Sequence, residues 1–385
     1  MLILKILLRN TFRNRLRTGL TILGMAIAIL AFGLLRTVIN AWYSGVEASS
    51  ASRLISRNAV SLAFPLPISY KEKIRQVEGV KVVSYGTWFG GIYKDEKHFF
   101  PNFAVEPKSY LELYPEFILS EEEKRAFFND QKGFVCGRKL VERFGWKIGD
   151  IITLKGTVLL GKWDFVLRGI YRGKDENTDE TQFFFHWDYL NEMAKRVGHS
   201  WTDQVGFFMI GVTHPDKVTE VSLAIDRIFK NSLAETMTET EKAFQQGFVT
   251  MTRALLTTIQ IVSIVIILII LAVVANTMAM TTRERIGEYA IMKTLGFRGR
   301  HLASLIFGES LTITLIGGLI GTLLIFPASE IFRHELGAYI PVFRVEDETF
   351  LLNLMATLLV ALFSAIIPTS RAIQIRIADG LRRIG

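Results

Sequence analysis

Four stretches without a single Asp, Glu, Lys or Arg constrain this chain most: Thr18 to Leu35, Ala254 to Thr282, Ser310 to Ser329 and Phe350 to Ser370. A helix rises about 1.5 Å per residue, so roughly 20 apolar residues cross a hydrocarbon core of about 30 Å. Four membrane-spanning helices are therefore predicted. The first run is short, but Arg17 and Arg36 at its ends can extend to the two interfaces. A cleaved signal peptide is the rival reading, because a basic leader and the small triplet Ala26-Ile27-Ala28 are present. The triplet lies inside the apolar run, and the run outlasts an ordinary signal core, so an uncleaved anchor is expected.

The mean hydropathy of +0.30 over 385 residues fits a mixture of membrane and water-exposed parts. Charge assigns the sides. Lys5, Arg9, Arg13, Arg15 and Arg17 precede the first run without an acid. Residues 283–300 hold five bases and two acids, and residues 371–385 hold four bases and one acid. Residues 42–250 are almost balanced, with 27 bases and 28 acids, and residues 327–349 carry two bases and five acids. Basic loops stay in the cytoplasm. Both termini and 283–300 are thus expected inside, and 42–250 and 330–349 outside. The surplus of +8 reads as a topology signal, and no nucleic-acid partner is expected.

The predicted fold is membrane α-helical, four transmembrane helices with a large α+β extracytoplasmic domain between helices one and two. Its parts are an interfacial amphipathic helix over 1–17, spans at 18–41, 254–282, 302–329 and 350–370, a cytoplasmic connector over 283–300, and a tail over 371–385. Lys5, Arg9, Arg13 and Arg17 fall four apart and form one stripe, expected on lipid phosphates. Residues 42–58 are predicted to prolong the first helix, and Glu239 to Thr258 to form a second helical stalk. Between them strands are expected over 80–89, 99–105, 151–154, 165–171 and 205–213, with helices over 68–77, 108–114 and 217–229. Residues 134–144 read as a strand followed by a helix.

Catalytic chemistry is sparse. Gly156 to Lys162 is one residue short of a phosphate-binding loop, and Trp163 stands where the motif needs Ser or Thr for Mg²⁺. A hairpin turn is expected there, and no cofactor or metal is expected on this chain. The six His lack metal-ligand spacing, and no nucleophile-elbow motif occurs. The acidic run Asp175 to Glu180 lacks the Gly and terminal Glu of an EF-hand loop and reads as a solvated turn. Cys136, the single cysteine, cannot form an intrachain disulfide and is expected to be a small buried residue.

The strongest signal follows the second run. Arg283-Glu284-Arg285-Ile286-Gly287-Glu288 opens a short charged helix that closes at Leu295-Gly296. Glu309 enters the third run ahead of Gly317, Gly318 and Gly321. Pro368, Arg371 and Ala372 close the fourth, and Gly380-Leu381-Arg382 follows. With Arg9-Asn10, Leu16-Arg17-Thr18 and Leu23-Gly24 near the start, this pattern resembles the FtsX-type, MacB-like (type VII) ABC transporter permeases, among them MacB, LolC, LolE and FtsX. The resemblance covers roughly 1–40 and 250–385. Gly380 replaces the family's usual Ala.

The resemblance implies a non-enzymatic permease subunit in a bacterial inner membrane that couples ATP hydrolysis on a separate ATPase to movement of the outer domain and export or extraction of a substrate. The alternative is an FtsX-like regulatory scaffold for envelope proteins. It implies a second permease chain, as homodimer or heterodimer, and leaves room for a periplasmic adaptor or a lipoprotein partner. It assigns the ATPase contact to Arg283, Glu284, Arg285, Ile286, Gly287, Glu288, Met292, Leu295 and Gly296. From the residues alone, Glu309 is either an intramembrane charge or an interfacial one. Gly317 and Gly321 are expected to allow close helix packing, within one subunit in preference to a dimer contact.

Overall fold

A computed structural model describes residues 11–175, 177–336 and 343–374. They divide into a helical unit from residues 11–40, 253–334 and 343–374, and an α/β unit from Ala41–Thr252. Helix α1 runs unbroken from Arg15 to Ala48 and belongs to both.

In the α/β unit the chain order is β1 (Arg53–Asn58), β2 (Leu66–Pro67), α2 (Tyr70–Arg75), β3 (Val80–Trp88), β4 (Asn102–Val105), α3 (Pro107–Leu113), β5 (Phe117–Ile118), α4 (Glu121–Phe128), β6 (Gly133–Gly137), α5 (Arg138–Phe144), β7 (Ile151–Gly156) and β8 (Gly161–Gly173). There follow β9 (Phe183–His186), α6 (Trp187–Arg196), β10 (Gln204–Val205), β11 (Phe207–Val212), α7 (Val218–Ile228), β12 (Thr236–Thr240) and α8 (Glu241–Met251). Among the described residues ten strands form one sheet in the order β12-β1-β11-β3-β4-β9-β6-β8-β5, with β7 also on β8. The pairs β4–β9 and β6–β8 are parallel, so the sheet is mixed.

Alternation explains how the sheet is buried on both faces. Side chains of a strand point up and down in turn. Phe134 and Cys136 of β6, Phe183 and Phe185 of β9, and Phe208 and Ile210 of β11 pack into one core, covered by α2, α5, α6 and α7. Their neighbours Val135, Phe184 and Met209 enter a second core with Tyr110 and Phe127 from α3 and α4. The first core is aromatic: Phe134 stacks on Phe183 at 4.1 Å, and Phe165 lies 4.6 Å from Phe185. Such pairs add about 0.5–1.5 kcal/mol each beyond their burial. Cys136 is buried, and that burial pushes its thiol pKa up.

The helical unit holds α1, α9 (Arg253–Glu284), α10 (Ile286–Thr294), α11 (Gly299–Leu336) and α12 (Asp347–Gln374). The four long helices are apolar enough to cross a membrane over Arg15–Tyr43, Arg253–Glu284, Gly299–Phe332 and Asp347–Gln374. Met25 and Ile29, Ile270 and Val274, Ile306 and Ile313, and Val360 and Ala365 interlock at their centre. Their outward faces, Leu268, Leu323 and Leu358 among them, are exposed and apolar, as a hydrocarbon surrounding requires.

Several boundaries differ from expectation. Residues 53–58 are strand β1, not a helical extension, because Leu54 and Ile55 drop into opposite cores and pair with β11 and β12. The second stalk starts at Glu241, because Glu239 and Thr240 pair with Ile55 and Leu54 as part of β12. Residues 12–14 are a turn and bend ahead of α1, so the described part of 1–17 is not one continuous helix. Helix α11 continues to Leu336 past Pro327, shortening the predicted 330–349 loop. Gly156 and Gly161 close a β7–β8 hairpin where the phosphate-loop look-alike lies.

Candidate functional site

Helix α10 is the charged connector. It starts at Arg285, directly after α9, and ends in left-handed Gly296 at φ +89°. Gly296 N–H donates to the Lys293 carbonyl at 3.1 Å and Phe297 N–H to the Met292 carbonyl at 3.0 Å. These two bonds satisfy the last carbonyls of the helix, and a side chain at 296 would be strained at that φ.

Polar contacts tie this short element and its flanks to their neighbours. Arg13, in the bend ahead of α1, donates to Glu288, and Arg17 of α1 donates to both oxygens of Glu284, the last residue of α9, at 2.9 Å. Toward α11, Arg285 reaches Glu309 at 3.2 Å while its Nε donates to Glu288 at 2.9 Å. Toward α12, the Lys293 ammonium donates to the Ile373 carbonyl at 2.6 Å. Arg285 also lies 5.5 Å over the Tyr289 ring. The chain itself links α10 to α9.

Burial ranks these contacts. Arg285 and Glu309 side chains are only 9% and 7% exposed, whereas Arg13 is 64% exposed. A screened surface pair contributes about 0.2–1 kcal/mol. The buried pair is different, since removing one partner strands a charge. Burial pushes the Glu288 carboxyl up, but hydrogen bonds from Arg13 and Arg285 outweigh it and hold the pKa below the ordinary value. Burial likewise lowers the Arg285 pKa, yet Tyr289, Glu288 and Glu309 together raise it. Both groups stay charged across the neutral range.

The expected site residues thus separate. Arg285 and Glu288 turn inward, Glu284 is held by Arg17, and Met292 packs against the helical core. Ile286 and Gly287 are half-buried, and Arg283, Leu295 and Gly296 are exposed. Arg13 and Arg17, expected on lipid phosphates, have carboxylate partners; Lys5, Arg9 and Gly380-Leu381-Arg382 lie outside the described residues. Sequence reading did not assign Ile291 and Phe297, which are exposed beside Leu295. The signal was available in the apolar pair Ile291 and Leu295, four apart on a helix whose Tyr289 and Ala290 are buried.

Gly317 and Gly321 face α1 of the same chain. A Cβ on Gly317 would sit 2.7 Å from Met25 Cβ, and one on Gly321 would sit 2.5 Å from the Ala26 carbonyl oxygen. Gly318 meets Thr357 of α12 on the other side. Small residues here let three helices approach at backbone distance. Among the described residues no group of three or more His, Cys, Asp or Glu is arranged to hold a metal ion. Asp175 and Asp179 accept hydrogen bonds from Asn177, Thr178, Thr181 and Gln182 instead.

Residues 260–377 match the FtsX-like permease C-terminal family. An uncharacterized ABC transporter permease of Methanocaldococcus jannaschii is 24% identical over 97% of this chain and 96% of its own length. The extracellular domain of the noncanonic ABC-type transporter YknZ from Gram-positive bacteria aligns with 49% of this chain and 100% of its own, at 11% identity and a TM-score of 0.36. Residues 260–377 are thus similar to the FtsX-like permease C-terminal family, and along nearly its whole length the chain is similar to an ABC transporter permease.

Proposed function

We propose that this chain is the membrane subunit of an ABC system whose ATPase is a separate protein, and that α10 is where the ATPase pushes. The observation that carries the reading is the two-sidedness of α10. Its inner side is fastened to the bend ahead of α1, to α11 and to α12 by charge and hydrogen bonds, and its outer side and C-terminal end present Ile291, Leu295 and Phe297 exposed. A short helix with an apolar face suits a groove on a soluble partner. The excess of basic residues supports a cytoplasmic position for α10 and both termini.

Motion of α10 passes through Arg13 to the bend ahead of α1 and through the chain to α9, whose last residue Glu284 is held by Arg17 of α1. Those are the helices that precede and follow the α/β unit in sequence. The work delivered is mechanical displacement of an outer domain, MacB-like, and a second permease chain pairs with a second ATPase. The test is co-purification with an ABC ATPase encoded beside this chain. Leu295→Asp and Phe297→Asp should abolish the complex while leaving the chain folded. Full retention of the ATPase by the double variant would remove α10 as the docking element. A complex that forms but moves no substrate, together with an envelope defect on deletion, would favour the regulatory scaffold.

A further inference from the structure

A cleft of about 600 Å³ opens in the α/β unit, within the range of small-ligand sites. Its floor is the open part of one sheet face, where Phe103, Phe207 and Met209 lie beside Ile55. Phe103 and Phe207 are only half-buried and meet edge to face at 6.3 Å. One wall is an aromatic stack in which Tyr110, Tyr114 and Phe117 have ring centroids 4.6–6.2 Å apart. Another wall belongs to Gln245 of α8 and to Ala41 and Trp42 of α1, in the last turn of the first apolar span. The Trp42 indole is held by donating to Thr252 at 2.9 Å.

The charge of the cleft is lopsided. Glu116, Asp175, Asp179 and Glu241 line it against Arg53 and Lys174. Arg53 is fully engaged: it donates to Glu116 at 2.6 Å and Glu241 at 2.8 Å, and lies 4.2 Å over the Tyr114 ring. Glu241 also accepts from the Ser50 N–H and the Tyr114 hydroxyl. Among the described residues that line the cleft the other base is Lys174, which is exposed and precedes Asp175 in the chain, so the lining carries more acid than base. Arg53 over Tyr114 shows the kind of group this wall accepts: a cation on an aromatic face. We infer that the cleft binds an amphipathic molecule with an apolar body and a basic amine, the body on Phe103 and Phe207 and the amine toward Asp175 and Asp179. Two of its lining residues, Ala41 and Trp42, end an apolar span, which suits a ligand that partitions into the membrane surface.

The site is tested on the full chain in lipid discs without any ATPase, so the result stands apart from the docking reading. Cys136 is buried, so Gln245→Cys supplies the single reactive thiol. Its N-ethylmaleimide labelling rate is read against three matched probes at equal free concentration: dansylcadaverine, its neutral N-acetyl derivative, and the anion dansyl-6-aminohexanoate. Dansylcadaverine should protect the thiol at about tenfold lower concentration than the anion, with the neutral probe between them. Asp175→Lys should erase most of that preference; a thermal scan confirms its fold. Equal protection by all three probes would overturn the amine assignment, and no protection by any would overturn the site. The probe series on unaltered rim residues decides the matter even if Asp175→Lys does not fold.

Discussion

The Arg285–Glu309 pair makes the most exacting prediction. Both side chains are nearly sealed, yet their surroundings are unequal. Arg285 serves Glu309, Glu288 and the Tyr289 ring, whereas Glu288 has a second donor in Arg13. Arg285→Ala strands the Glu309 carboxylate, a loss of about 3–5 kcal/mol. Glu309→Ala strands a guanidinium that still has Glu288, so it should cost less, and Glu309→Gln keeps an acceptor and should cost about 1–3 kcal/mol. The double change Arg285→Met/Glu309→Leu removes both charges and should recover most of the loss. The assay is reversible unfolding in mixed detergent micelles, with a double-mutant cycle to isolate the coupling. If Arg285→Ala is within about 0.5 kcal/mol of the parent chain, or if Glu309→Gln is the worst of the three, the pair is not buried as described. An intact fold with lost ATPase coupling would assign the pair to transmission more than to stability.

Three further outcomes follow from geometry. In the α/β unit, burial is the largest influence on His186 and holds its pKa below 6.5, against the hydrogen bond to the Phe127 carbonyl at 2.7 Å. The unfolded chain takes the proton first, so this contribution is complete above pH 6.5 and is lost as pH falls through the folded pKa; His186→Gln should flatten that part of a stability–pH curve. Glu288, also held low, contributes above pH 4.5 and loses its contribution only as pH falls below that value, a separate acid step absent from Glu288→Gln. Gly321→Leu drives carbon into the Ala26 carbonyl and should destabilise the helical unit by about 1–3 kcal/mol or more, measured by thermal unfolding, while Gly145→Ala in the α/β unit meets no neighbour and pays only for its left-handed backbone.

Much of this fold was legible because its signals were local. Charge-free runs are read one residue at a time, and α9 begins and ends within two residues of where Ala254 and Thr282 bound its run. Short β-rich apolar or alternating runs likewise exposed β3, β8 and β11. Strand β1 was hidden because it follows helix α1 after a few small residues, and its partners in β11 and β12 lie about 150 and about 180 residues away in the chain. Helix α4 did carry a local mark, the Ser120–Glu123 capping box, but the acidic run after it reads as a loop. The α10 site was half legible. A charged helix ending in Leu295-Gly296 can be seen in the sequence; the pairing of Arg13 with Glu288 and Arg17 with Glu284 cannot, since the partners are separated by 275 and 267 residues.

The three consecutive phenylalanines of β9 carry one more implication. Hydrophobic patterning usually prevents a strand from slipping by one residue, because a slip exchanges buried and exposed side chains. Here both faces are buried, and Phe183, Phe184 and Phe185 are interchangeable to the two cores. Apolar chemistry alone is therefore blind to the strand's alignment. The polar bookends must supply it: the Gln182 N–H donates to the Tyr171 hydroxyl on one side, and His186 reaches the Phe127 carbonyl on the other. Nearby, Gly137 leaves no room for anything larger against the Glu180 backbone. Faults in this domain should accordingly arise as misaligned but still well-filled cores, native in compactness and wrong by one residue.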